Sequence, residues 1–139
     1  MTEIEKLLAV KDMTEEEQWV YLAKAGLMSH PWNAQDLKLG IELWRWKAYF
    51  EREVKDKYQA LLADLAFRLR DEVVKDDLAN ETGDWCEAEY EVFLHIIGEE
   101  NEKDAIGLDT WCSMYATPIH WIVIAIRAKQ LAVQLAKKE

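Results

Sequence analysis

The stretch Thr117-Pro118-Ile119-His120-Trp121-Ile122-Val123-Ile124-Ala125-Ile126-Arg127 decides the fold class. Thr117 offers a capping hydroxyl, and Pro118 supplies a fixed φ at the first helical position, where no N–H is needed. The run 121–126 is short, apolar and mostly β-branched, so by itself it fits a buried strand as well as a helix. What flanks it separates the two. The Thr-Pro start precedes it, and good helix formers continue through Leu131 and Leu135 to Lys137. Residues 119–137 therefore read as a helix. Ile122, Val123 and Ile126 lie on one side, and Trp121, Ile124, Leu131 and Leu135 on the other. A helix apolar almost all the way round belongs at the centre of a domain.

The rest of the chain reads the same way. Two prolines and five glycines in 139 residues leave few breakers. Half of the residues are hydrophobic and seven are Trp, enough to fill a core. Thr14 with Glu17 forms a capping box, followed by Trp19, Leu22, Ala23 and Leu27 at helical spacing; Gly26 weakens that helix and His30-Pro31 ends it. Asn33, with Asp36 in the first turn, starts the next. From 34 to about 78 no strong stop occurs. A continuous helix of that length would run ~65 Å at about 1.5 Å per residue, whereas a domain of this size is roughly 35–40 Å across. A break near 51–57, a protrusion or an elongated dimer would resolve the conflict.

The apolar pattern favours a bend near residue 50. Before it, Leu37, Ile41, Trp44 and Ala48 form one stripe, and Leu39, Leu43, Trp46 and Phe50 a second, nearly opposite. After it, Val54, Tyr58, Leu61, Leu62, Leu65, Leu69 and Val73 form one stripe. Glu51 with Lys55, Glu53 with Lys57, and Asp64 with Arg68 stand four apart, as helical ion pairs do. Asp84 with Glu87 makes a second capping box, followed by Trp85, Ala88, Val92, Phe93, Ile96 and Ile97, with Gly98 as the stop. Residues 99–104 read as a solvated acidic loop and 109–115 as a short helix. The sequence thus predicts one all-α domain over residues 1–139. It is a compact bundle of five or six helices, with a long, bent second or third helix and a central C-terminal helix.

Charge is distributed unevenly. Between Asp71 and Asp109 there are 14 acidic residues and two lysines, so that stretch carries −12 in a chain of net charge −10. Such a segment either serves as a solvated face that keeps the protein soluble, or forms a surface that repels nucleic acid and attracts basic partners. Asp76, Asp77, Glu81 and Asp84 flank a turn, and Glu87 and Glu91 continue on the polar face of the following helix; these six are the candidate partner-binding residues. The second stripe before the bend, Leu39, Leu43, Trp46 and Phe50, is the candidate interface of a homodimer, because Trp is enriched among interface hot spots; packing inside the molecule is the alternative for Trp46. Trp44, opposite, is assigned to the core. Glu89 falls inside the apolar arc of its helix and needs a partner. The last helix offers one polar stripe with His120 and Arg127, so Glu89 with either is the expected buried polar pair.

Reaction chemistry is not written in the sequence. Cys86 and Cys112 are far apart and form no zinc motif; they read as reduced, buried thiols. No Glu stands three residues before a His, as helical di-iron sites require. Glu87, Glu89 and Glu91 alternate by two, which sends them to different faces. No nucleophile motif and no Gly-rich phosphate loop occurs, so no catalytic residue, metal or cofactor is expected. The longest apolar run, 121–126, is too short to span a bilayer, and Met1-Thr2-Glu3-Ile4-Glu5 opens no secretory signal; a soluble, cytoplasmic protein is expected.

Two segments, Ala63-Asp64-Leu65-Ala66-Phe67-Arg68-Leu69-Arg70-Asp71-Glu72 and Thr117-Pro118-Ile119-His120-Trp121-Ile122-Val123-Ile124-Ala125, resemble small uncharacterised proteins of bacteriophages and prophages. They cover about 20 residues of core type. The resemblance implies a mobile-element origin. By analogy of class, it implies a non-enzymatic protein that binds and inhibits or modulates a basic host protein, as anti-CRISPR and other anti-defence proteins do. The alternatives are a phage structural or assembly component, and a metal-dependent all-α hydrolase such as a nucleotide pyrophosphohydrolase.

Overall fold

A computed structural model describes residues 2–97, 107–114 and 116–138. The fold is all-α, and among the described residues there is no strand. The helices are α1 (Glu3–Val10), α2 (Glu15–Lys24), α3 (Ala34–Leu39), α4 (Leu43–Tyr49), α5 (Tyr58–Asn80), α6 (Asp84–Ile97), α7 (Leu108–Met114) and α8 (Pro118–Lys138). That is more helical segments than the five or six expected. One addition is α1, capped by the Thr2 hydroxyl and burying Ile4, Leu7 and Val10 against the core. The others come from division of the long stretch. The acidic 99–104 segment and Gly98 lie outside the described residues.

The stretch 34–78 breaks twice. One break is the expected one: a π turn, Phe50–Val54, followed by a 3-10 turn, Lys55–Lys57, joins α4 to α5. The other was not anticipated. Gly40 ends α3 at φ +96°, a conformation closed to residues with a Cβ, and the chain restarts at Leu43. The sequence shows no strong stop between 34 and about 78, and this one lies inside that stretch. Gly26 likewise stops α2 rather than weakening it: at φ +79° it closes a Schellman motif, with Leu27 N–H donating to the Leu22 carbonyl (2.9 Å) and Gly26 N–H to that of Ala23 (3.0 Å). The capping boxes at Thr14 with Glu17 and at Asn33 with Asp36 are both formed.

Helix α8 is the hub, packing on α5, α6 and α1. Ile122, Val123, Ile124 and Ala125 are fully buried, which is why the β-branched run is accommodated as helix: neighbouring helices surround it. The hub role ends past Leu131, where Val133 and Leu135 are exposed. On α5 the expected stripe is buried at Tyr58, Leu62, Leu65, Leu69 and Val73, with Leu61 at its exposed edge. A second centre of the core is aromatic. Trp46 sits 4.4 Å from Trp32 and 5.4 Å from Trp19, ring centre to ring centre, and Phe50 packs on Trp19 and Tyr58. The indole N–H of Trp46 is buried among these rings without a hydrogen-bond partner among the described residues.

This aromatic centre corrects two expectations. Trp46 and Phe50 are core residues, 1% and 2% exposed, and are not available to an interface between copies; Trp44, assigned to the core, is the exposed one. Trp46 turns toward Trp19 of α2 and toward Trp32, which leaves Trp44, two residues away, on the open side of α4. Leu39 and Leu43, the other two residues of that stripe, are exposed.

Candidate interaction surfaces

The α5–α6 corner is built around one carboxylate. Asp77 Oδ1 accepts from the Asp84 N–H (3.1 Å) and from the Thr82 hydroxyl (2.8 Å), and its Oδ2 accepts from the Trp85 N–H (3.0 Å). A carboxylate from the end of α5 thus caps the start of α6, where free N–H groups and the helix dipole favour negative charge. The expected Asp84 cap is displaced: Asp84 is the first helical residue of α6. Glu81 makes the turn possible by adopting the left-handed conformation at φ +54°.

Capping by Asp77 sorts the nine acidic residues from Asp71 to Glu91. Asp71 pairs with Lys75 (2.9 Å), Glu72 with Lys129 (3.0 Å), and Glu91 with Arg127. Asp77 holds the turn, and Glu89 accepts from the Trp85 indole N–H (3.0 Å). Four remain. Asp76, Glu81 and Glu87 are exposed and Asp84 is half-buried, with none of them in an ion pair among the described residues. The Asp84 carboxyl is raised above its ordinary pKa by burial first, then by the charges of Asp77 and Glu87. The structure therefore brings Asp77, Asp84 and Glu87 together as expected. It withdraws Asp77 and Glu91 from the candidate set, because both are committed inside the molecule.

The buried polar pair forms with a different carboxylate. Arg127 grips Glu91 with both forks of its guanidinium, Nε to Oε2 at 2.9 Å and Nη2 to Oε1 at 3.1 Å, and also lies 3.7 Å from Glu3. Glu89 touches neither Arg127 nor His120. The buried stripe of α6 is Trp85, Ala88, Val92 and Phe93. Glu89 is held within its own helix by the Trp85 indole, and it is Glu91 that Arg127 of α8 reaches. His120 binds locally: its Nδ1 accepts the Thr117 N–H at 2.9 Å while the ring lies edge-on to Trp111. Burial, reinforced by Lys11, lowers its pKa, with Asp12 opposing.

Of the helical ion pairs expected before α6, Glu51 with Lys55 forms at 3.0 Å. Glu53 with Lys57 and Asp64 with Arg68 are absent from the ion pairs among the described residues; the π and 3-10 turns change the angle between positions 53 and 57, and Arg68 reaches the Leu27 carbonyl instead (3.5 Å). Cys86 is exposed and Cys112 half-buried, so the thiols are not both buried; neither is in a disulfide.

The second surface is the α3–α4 arm. Helix α3 buries none of its residues and α4 only Trp46. Leu39, Leu43 and Trp44 project at 79%, 56% and 65% exposure. Among the described residues no group of three or more His, Cys, Asp or Glu is gathered as a metal site, and no helix is long and apolar enough to cross a membrane. No family model matches the chain, and no curated protein or solved structure matches it either.

Proposed function

We propose that this is a non-enzymatic binding protein that engages a basic surface on a host protein through the α5–α6 corner and so inhibits or modulates that protein. The observation that carries the reading is the unneutralised charge of Asp76, Glu81, Asp84 and Glu87, next to acidic neighbours that are all matched internally. An uncompensated negative field steers basic partners during encounter and disfavours nucleic acid. The phage-type resemblance supports a bacterial host and a cytoplasmic setting. Immobilised protein exposed to bacterial lysate tests the reading. A basic protein should be retained, released by salt, and lost with Asp76→Lys combined with Glu87→Lys. Retention indifferent to salt and to both substitutions would contradict it.

A further inference from the structure

We propose that the α3–α4 arm docks on the α5–α6 corner of a second copy of this chain. Exposed Leu39, Leu43 and Trp44 form an apolar surface of the kind that monomers seldom leave open. The arm's own acids are occupied: Asp36 closes the capping box with Asn33, and Glu42 accepts from the Trp44 indole. Its cations are in no ion pair among the described residues: Lys38, Arg45 and Lys47 are all exposed, and Arg45 lies over the Trp32 ring at 6.0 Å with no carboxylate against it among those residues.

The corner is the reverse image. Its unpaired charges are the negative ones of Asp76, Glu81 and Glu87, and its exposed apolar side chains are Leu78 (77%), three residues before Glu81, and Tyr90 (48%), three after Glu87. Arm and corner thus complement each other in charge and both offer apolar contact. Two molecules of charge −10 repel on average; arm against corner is the approach that sets opposite charges face to face, and a twofold axis would form the contact twice. Trp44 is its anchor, as large aromatics are at interface centres.

Light scattering of the pure protein, at low and high salt, reads the outcome without any host partner, so its failure and failure of the partner reading are separate events. The wild type should show twice the 16.3 kDa chain mass at low salt and weaken as salt rises. The triple variant Lys38→Glu, Arg45→Glu, Lys47→Glu should be monomeric, and so should Asp76→Lys, Glu81→Lys, Glu87→Lys. Mixed together, these two variants should associate again, because each then offers what the other lacks. Trp44→Ala should also be monomeric. A monomeric wild type at high concentration would overturn the proposal. So would a dimer that Trp44→Ala abolishes but both charge reversals leave intact, which would assign the arm to another arm.

Discussion

Tyr58 donates a hydrogen bond to the side-chain oxygen of Gln18 at 2.8 Å in the middle of the core, and the Gln18 amide donates to the Val10 carbonyl at 3.1 Å. Through these two bonds the start of α5 holds the turn between α1 and α2. Burial, aided by Glu15, raises the Tyr58 pKa, so the phenol stays a donor throughout the neutral range. Tyr58→Phe strands the Gln18 oxygen and should cost about 1–3 kcal/mol. Gln18→Leu leaves the buried phenol without its acceptor and takes one of two hydrogen bonds from the Val10 carbonyl, which keeps the Met13 N–H (3.2 Å), and should cost more. Urea denaturation of both variants checks the order.

Arg127 and Glu91 tie α8 to α6 at the rim of the core. Arg127 is 13% and Glu91 26% exposed in the side chain, so solvent screens part of the attraction. Arg127→Met should therefore cost about 1–3 kcal/mol rather than the larger sum expected of a fully buried pair. A double-mutant cycle with Glu91→Gln should return a coupling of about 1–2 kcal/mol. The same cycle with Glu89→Gln should return nothing.

At the corner, Asp77 and Asp76 are neighbours with opposite roles. Asp77→Ala removes three accepted hydrogen bonds and a helix cap and should cost about 1–2 kcal/mol. Asp76→Ala should stay within about 0.5 kcal/mol. Glu81→Gly relieves a left-handed residue and should stabilise by about 1 kcal/mol. Thermal melts of the three variants give the ranking directly.

The parts of this fold legible in the sequence are those set by local rules. The capping box of Thr14 with Glu17, the Asn33 cap, the Thr117-Pro118 start and the single stripe of α5 depend on residues within a turn or two, and each is where it was expected. The bend near residue 50 was legible because the stripe pattern changes there. What was not legible lies between elements. One glycine at φ +96° divides a stretch in which no strong stop was read, and which of Trp44 and Trp46 is covered is decided by how α4 packs on Trp19 and Trp32. Long-range polar pairing failed for a related reason: whether α8 passes Glu89 or Glu91 is decided by helix packing, not by either helix alone. The Asp77 cap was hidden because cap and helix belong to different elements. The acidic character of the corner was plain from composition, but which carboxylates are spent internally required the fold.

His120 makes stability depend on pH. Its pKa is lowered in the folded state from an ordinary value of 6.5, chiefly by burial, and its Nδ1 accepts the Thr117 N–H, which an imidazolium cannot do. A lowered histidine pKa means that protons bind the unfolded chain more readily. The contribution is fully present above about pH 6.5 and is lost as pH falls below it toward the folded-state value. Carboxylates titrate lower, so the comparison variant is His120→Asn, which keeps an acceptor near Nδ1 and does not titrate. Between pH 7 and pH 5 the wild type should lose more stability than this variant.

The corner as a docking surface is the central claim, and the association rate of a captured basic partner tests it most directly. It should be measured for the wild type and for Asp76→Lys with Glu87→Lys at low and high salt. Both side chains are exposed and free of internal bonds among the described residues, so folding should be undisturbed, whereas a substitution of Asp77 would also remove a helix cap. The account predicts fast association at low salt that slows as salt rises, and a double variant that associates slowly at both, with dissociation little changed. Equal association rates for the two proteins, insensitive to salt, would contradict it.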